Sequence, residues 1–190
     1  SDVWLDGTYL GDAEGSFSPH EFEITDAVND RSEHVLAVEV TCAPQRSHHR
    51  KRNLTGAFQT GSAWDRGRNP GGIWRPVRVA TSGPVRIKHH RVLCTSATER
   101  RATIRLRSVL DARVPGDVTV VTTIDGNASS TVHSLALGEN QLEWDVVIDH
   151  PRRWWPHALG DQPMYEVEVA VSDTRGRPSD ARSTRLGLRS

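Results

Sequence analysis

Short runs of alternating apolar and polar residues, separated by turn residues, constrain the fold of this chain more than any other feature. After residue 83, seven such runs follow one another over about a hundred residues. In one of them Ala102, Ile104 and Leu106 alternate with polar neighbours. No segment shows a sustained helical period, so the sequence predicts an all-β chain. Seven short alternating strands are typical of an immunoglobulin-like β-sandwich.

The first 82 residues predict a second, less regular β-domain. Asp6-Gly7 stands between two apolar runs, which is a strong hairpin signal because a type I′ turn needs positive φ at both central residues. The last strand begins at a Gly-Gly turn, and Pro76 removes one N–H donor from it. Alternation predicts three strands after the hairpin, over Glu21–Asp26, Val35–Thr41 and Gly71–Val79.

A polar connection over residues 43–70 separates the last two of these strands. A connection of this length without periodicity is usually functional or disordered. A turn-forming hinge at 81–84 then divides the chain into domains 1–82 and 83–190. The chain opens on what reads as the middle of a strand, so we expect a piece of a longer protein whose first domain lacks strands. Unpaired sheet edges would favour self-association.

Charge and hydropathy exclude several classes of partner. The 24 basic and 24 acidic residues balance, so no electrostatic footprint for nucleic acid or an anionic membrane is present. No apolar run approaches the roughly 20 residues of a membrane span. The sequence contains no pattern of a secretory signal, and if the chain is a piece of a longer protein, a targeting segment would lie outside it. The compartment therefore stays open between cytoplasmic and secreted.

Cysteines and histidines predict neither a disulfide framework nor a metal site. Cys42 and Cys94 fall on opposite sides of the domain boundary, and we interpret them as free, buried thiols. A disulfide in an oxidising compartment is the alternative. The nine histidines include two adjacent pairs, and neighbours on a strand point to opposite faces. We therefore expect no metal and no cofactor.

Acidic residues spaced by two, as in Glu143 and Asp145, recur on the predicted strands. Glycoside hydrolysis requires two carboxylates about 5–10 Å apart across a sugar. Residues spaced by two share one face of a strand, however, and charged residues there keep a sheet soluble. We interpret these acids as a solvated face.

Several motifs, in this order along nearly the whole chain, resemble the non-catalytic N-terminal modules of glycoside hydrolase family 2, especially its β-mannosidase and exo-glucosaminidase branch. No single motif is decisive, but the ordered set is specific. The matching stretches are Asp2–Gly11, Gly15–Thr25, Val35–Val40, Gly72–Val77, Arg153–Tyr165 and Arg185–Arg189.

The resemblance implies a sugar-binding-type jelly roll, N-terminally incomplete, followed by the immunoglobulin-like sandwich. It also implies a downstream (β/α)₈ barrel that carries two catalytic glutamates and hydrolyses β-glycosides with retention. Such a barrel needs roughly 250 residues, so we expect this chain to be inactive by itself. The implied role is that of an accessory region, which supports the barrel and extends one loop towards the carbohydrate.

Trp64 and Asp65 are the candidate substrate-binding residues, because the mannosidase branch carries a Trp-Asp pair on a loop before its "GIWRPV" motif. An indole can stack on a sugar ring while a carboxylate accepts its hydroxyl hydrogen bonds. The family's longer "FGWDWGP" pattern is absent here, and a Trp that only fixes the loop is the alternative. Trp74, Trp154 and Trp155 are interpreted as structural, in core or inter-module packing.

Two other functions remain open from the sequence. A stand-alone carbohydrate-binding module and an interaction module without a sugar role both fit an all-β chain that lacks a catalytic barrel. The sequence does not choose among mannose, glucosamine, galactose or glucuronate as the sugar of the parent's substrate.

Overall fold

The computed structural model describes residues 1–15, 17–28, 32–41 and 72–189. The chain divides into two compact units, Ser1–Arg78 and Val79–Ser190. Ten strands are present in the described ranges, and the all-β prediction is confirmed. Within these ranges, no helix is long and apolar enough to cross a membrane.

The first unit contains a three-stranded antiparallel sheet in the order β2-β1-β3. Asp6 and Gly7 connect the first two strands and both have positive φ, 52° and 83°, as the hairpin signal predicted. Val3 and Leu5 point to the buried face of the sheet. Its strands are β1 (Asp2–Leu5), β2 (Thr8–Asp12) and β3 (Leu36–Glu39).

The strand predicted over Glu21–Asp26 is wrong, because this segment contains no strand and ends in a turn. The Glu23 carboxylate accepts hydrogen bonds from both the amide and the hydroxyl of Thr25. Ala27 and Val28 donate their amides to the Ile24 carbonyl. Local side-chain and turn hydrogen bonds thus take the place of a ladder, although the alternating burial of the segment persists.

The predicted strand at 71–79 is also wrong over its described part, residues 72–79. Gly72 has a φ of +127°, and Pro76 has no amide hydrogen to donate. Trp74 is 57% exposed, so the prediction that it lies mid-strand in a core does not hold for the described residues. Its ring makes an edge contact with Phe17, at 5.9 Å between centroids, and lies under the Arg75 guanidinium at 4.5 Å.

The second unit contains seven strands, the number predicted from alternation. Asp125 and Gly126 form a second hairpin turn with positive φ at both residues, 44° and 85°. The strands are β4 (Val85–Ala97), β5 (Arg101–Ala112), β6 (Gly116–Ile124), β7 (Asn127–Leu135), β8 (Gly138–Asp149), β9 (Tyr165–Asp173) and β10 (Pro178–Leu186).

These strands form two antiparallel sheets that pack into a sandwich. One sheet has the order β4-β5-β8 and the other β10-β9-β6-β7. The arrangement is that of an immunoglobulin-like sandwich in which the fourth strand, β7, pairs with the third rather than the fifth. The predicted sandwich is therefore observed in the second unit.

Apolar side chains from both sheets form one core. Leu106 of β5 and Val169 of β9 are fully buried in it. One polar contact crosses the core, since the Trp144 indole N–H donates to the buried Thr122 hydroxyl at 3.0 Å. Cys94 of β4 packs against this core as a free, partly buried thiol, whereas Cys42 lies outside the described residues.

The sandwich closes on one side where β4 meets β10, and we call this contact the β4–β10 seam (83–90 against 179–182). Gly83 donates its amide to the Ser179 carbonyl at 2.7 Å. The Ser179 hydroxyl accepts from the Val85 amide and donates to the Val85 carbonyl. A Cβ on Gly83 would lie 2.9 Å from the Ser179 Cα. The residue at position 83 must therefore be glycine if the seam is to close.

Gly83→Ala should destabilise the second unit by about 1–3 kcal/mol, because the added methyl forces the backbone of β10 away from β4. Loss of unfolded-state entropy would by itself stabilise the variant by about 0.4–1 kcal/mol, so the sign of the change is diagnostic. Urea unfolding followed by tryptophan fluorescence measures it. Ser82→Ala, on the exposed preceding residue, is the control. An unchanged midpoint for Gly83→Ala would show that the close approach is not required.

Candidate functional site

Three of the five residues singled out from the sequence lie in the described structure. Trp64 and Asp65 lie outside it. Trp74 belongs to the first unit, whereas Trp154 and Trp155 lie on the loop of residues 150–164 that joins β8 to β9 in the second. This β8–β9 loop is the candidate site that the structure describes.

Tyr165, the first residue of β9, fixes the start of the loop. Its hydroxyl accepts the Arg152 amide hydrogen at 2.7 Å, and the Arg152 guanidinium lies over its ring at 5.1 Å. The same guanidinium donates to Asp125 at 2.7 Å, and Asp125 also accepts the Glu166 amide. A buried tyrosine at this corner, bonded back to upstream backbone, is a recurring feature of immunoglobulin-like sandwiches.

Trp154 packs the loop against the chain that leaves β10. Its amide donates to the Leu188 carbonyl at 2.8 Å, and Leu188 is fully buried. A Cβ on Gly187 would lie 2.9 Å from the Trp154 ring, so the ring rests directly on backbone. The Arg189 guanidinium is 5.8 Å from the ring centroid. The contacts of the Trp154 indole are thus made with other residues of this chain.

Trp155 is held by its neighbours but is 38% exposed. Its amide donates to the Asp161 carbonyl at 2.8 Å, and its carbonyl accepts from the Gln162 side chain at 3.0 Å. The Arg153 guanidinium lies over the ring at 4.9 Å. The Gly160 backbone is so close that a Cβ would lie 3.1 Å from the ring. The Arg153 guanidinium therefore occupies space over the ring that a stacked sugar would need.

Ion pairs connect this loop to the neighbouring turns. Arg153 pairs with Glu99 of the β4–β5 turn at 3.1 Å, and the His150 amide donates to the Arg100 carbonyl. Guanidinium–aromatic stacks and ion pairs at exposed positions each contribute little, on the order of 1 kcal/mol or less. Together with the Tyr165 hydrogen bond they hold one end of the sandwich in a single arrangement.

The paired acids on β8 are partners of arginines rather than candidates for acid catalysis. Asp145 accepts two hydrogen bonds from Arg105, at 2.9 and 3.0 Å, which hold the pKa of that carboxyl below its ordinary value. Glu143 pairs with Arg107 on the same face. A general acid needs a raised pKa, whereas Asp145 has a lowered one. The interpretation of these acids as a solvated face agrees with this geometry.

The residues missed by sequence reasoning are the polar ones that hold the loop. Asp125, Arg152 and Tyr165 were not singled out for a contact. Neither the alternation nor the motif order shows which arginine faces which ring. Among the described residues, no group of three or more His, Cys, Asp or Glu side chains could hold a metal ion.

Comparison with known proteins identifies the family. Residues 85–189, more than half of the chain, match the model of glycosyl hydrolases family 2. The chain belongs to this family. The resemblance inferred from the ordered motifs is therefore confirmed, and the matched region coincides with the seven-stranded sandwich.

Relatives align with the whole chain. A mannosylglycoprotein endo-β-mannosidase from Lilium longiflorum is 27% identical over 100% of this chain and 23% of its own length. An exo-β-D-glucosaminidase from Amycolatopsis orientalis is 28% identical over 100% of this chain and 18% of its own. The crystal structure of the Amycolatopsis orientalis exo-chitosanase superposes with a TM-score of 0.76 and 26% identity, over 98% of this chain and 22% of that one.

The chain thus spans about a fifth of the length of these relatives, which are much longer glycoside hydrolases. A β-D-mannosidase structure from Dictyoglomus thermophilum, 20% identical, shares the fold with a TM-score of 0.76, over 99% of this chain and 25% of that one. The chain corresponds to a non-catalytic portion of a family 2 hydrolase, as the motif resemblance implied.

Tyr165→Phe should destabilise the second unit by about 1 kcal/mol, because the partly buried hydrogen bond between the Arg152 amide and the Tyr165 hydroxyl is lost. The chain contains one other tyrosine, Tyr9, whose hydroxyl bonds Asp2 at an exposed position. Tyr9→Phe is therefore the matched control and should change stability by less than about 0.5 kcal/mol. The urea unfolding midpoints of the two variants measure this difference in stability. Equal midpoints would contradict an anchoring role for the Tyr165 hydroxyl.

Proposed function

We propose that this chain is a supporting region of a longer retaining β-glycosidase, in which it holds the catalytic domain and contributes one loop to the substrate pocket. The observation that carries the proposal is the match of residues 85–189 to family 2 in a chain that spans about a fifth of its relatives. Names of the relatives point to β-mannosides or β-glucosaminides as the substrate class.

The proposed domain organisation is a jelly roll of the sugar-binding type over residues 1–82 and an immunoglobulin-like sandwich over 83–190. The division of the chain into units after Arg78 supports a boundary in this region. The hairpin turn at Asp125 and Gly126 and the seven strands support the sandwich assignment. A three-stranded sheet with free outer strands in the described part of the first unit supports an incomplete jelly roll.

The β8–β9 loop is the proposed contact with the catalytic (β/α)₈ domain. Trp154 bonds the chain at Leu188, just beyond the last strand, so the loop lies beside the point at which β10 ends. The loop also exposes Trp155 and Leu159, the latter by 69%. A rigid loop with exposed apolar side chains suits packing against a neighbouring domain.

Trp64 and Asp65 are proposed to lie on the loop that reaches the substrate, with the two catalytic glutamates supplied by the barrel. The support is the order of motifs, with a basic segment before the pair and Gly72–Val77 after it. In this proposal the indole stacks on the sugar and the carboxylate accepts hydroxyl hydrogen bonds.

The rival function is a stand-alone carbohydrate-binding module, which the partly exposed Trp155 would favour. Calorimetric titration of this chain with mannosides and glucosaminides separates the two. We expect flat titrations and no release of p-nitrophenol from p-nitrophenyl β-D-mannoside or β-D-glucosaminide. Measurable affinity that Trp155→Ala abolishes would instead establish the binding module.

In the full-length enzyme, Trp64→Ala should lower kcat/KM by about tenfold or more, which corresponds to about 1.4 kcal/mol of lost transition-state binding. Trp64→Phe keeps an aromatic face and should retain most of the activity. Steady-state kinetics on the p-nitrophenyl glycoside that the enzyme prefers measures both. Unchanged turnover in Trp64→Ala would favour an interaction module without a sugar role.

The first unit should associate with another copy or a neighbouring domain, because the outer strands of its sheet have no further strand beside them among the described residues, and such edges invite pairing. Sedimentation velocity of this chain should show a weight-average mass that rises with concentration. Ala37→Lys, on β3, should shift the chain towards monomer, whereas Ala136→Lys, in the exposed turn after β7, should not. Monomeric behaviour of the unmodified chain at all concentrations would contradict the proposal.

A further inference from the structure

The β4–β10 seam is held by side chains of β10 rather than by a continuous backbone ladder. Ser179 bonds both backbone groups of Val85, and the Asp180 carboxylate accepts the Ile87 amide at 2.8 Å. The Arg182 guanidinium donates to the Ile87 carbonyl at 3.4 Å and pairs with Asp180 at 3.5 Å.

A β-bulge places His90 inside the sandwich beside this seam. The β4–β5 register shifts between Ile87 and His89, so Lys88 is the extra residue. Without the bulge, His90 would point to the outer face, since side chains alternate along a strand. With it, His90 stands opposite the buried Ser108 of β5, and its Nδ1 lies 2.9 Å from the Ser108 hydroxyl.

The other ring nitrogen of His90, Nε2, is buried and has no hydrogen-bond partner among the described residues. The groups that surround the ring do not favour a charge. Ser108 on β5 is neutral, and the charge that acts on His90 is that of Arg182 on β10. Asp180, the carboxylate at the seam, is already engaged by the Ile87 amide and Arg182.

We propose that His90 is a proton-sensitive latch: the neutral imidazole allows the β4–β10 seam to close, and the imidazolium opens it. The imidazolium carries an N–H on both ring nitrogens, so the N–H on Nε2 has no acceptor among the described residues, and its positive charge lies near that of Arg182. Moving β4 away from β10 hydrates the ring and separates the two cations. The segment released is the start of β4, where the chain enters the second unit.

The direction of the pH dependence follows from the two states. Burial, and secondarily Arg182, lower the pKa of His90 in the closed state, whereas in the open state it returns to its ordinary value of about 6.5. Above about pH 6.5, opening of the seam does not depend on pH. Between the two pKa values the open state alone binds the proton, so opening increases about tenfold for each unit of falling pH. Below the closed-state pKa the dependence ends.

Amide hydrogen exchange of this chain, read by NMR from pH 8 to pH 5 and corrected for intrinsic exchange, tests the latch. The amides of Gly83, Val85 and Ile87 all donate across the seam and report its opening. Their protection should fall by up to about tenfold per pH unit below pH 6.5. Amides that are hydrogen-bonded between β5 and β8 should keep their protection over the same pH range.

His90→Asn removes the titrating group but keeps a polar side chain that can bond Ser108. In this variant the protection of the seam amides should not depend on pH. His157→Asn, at an exposed histidine of the β8–β9 loop, is the matched control and should retain the dependence. The same pH profile in His90→Asn would overturn the proposal. If that variant does not fold, NMR titration of the His90 ring protons in the unmodified chain tests the proposal instead. A His90 pKa at or above about 6.5 would also overturn the proposal.

Discussion

The second unit depends on the register of β5, its central strand. β5 pairs with β4 on one side and β8 on the other, and its inward side chains, from Ala102 to Ala112, are among the most deeply buried in the described chain. A slip of one residue would exchange this apolar set for Arg105 and Arg107, whose charges cannot be buried unpaired. Both faces of β5 therefore specify one register, the apolar face by burial and the charged face by its pairing with acids on β8.

The same charges protect the exposed edge of that sheet. β8 is an outer strand of 12 residues, long enough to invite pairing with another chain. Its outward positions carry Glu139, Glu143 and Asp145, each paired with a basic residue of β4 or β5. A second copy that added itself there would bring like charges together. β4, the other outer strand, is protected differently, by bulges and by the side chains of β10.

Period-two alternation predicted the sandwich because each of its strands buries one face, and alternate residues of a strand share a face. It failed in the first unit for two reasons. At Glu21–Asp26 a glutamate side chain and a turn satisfy the backbone locally, and at 72–79 a glycine with positive φ and a proline interrupt pairing. The motif order identified the family, but the contacts of Arg152, Arg153 and His90 depend on register, bulges and loop closure. A one-residue bulge at Lys88 decides whether His90 is inside or outside, and no pattern in the sequence marks it.

Trp154 and Trp155 show why aromatic residues in a carbohydrate-active family need not contact sugar. Trp154 rests on the backbone of Gly187, and Trp155 contacts both Arg153 and Gly160. In both cases a glycine allows the ring to approach the main chain, and a guanidinium lies over the ring. An indole with such contacts stabilises a loop, whereas a sugar platform needs an open face. The Trp154–Trp155 motif is thus explained by the shape of one end of the sandwich.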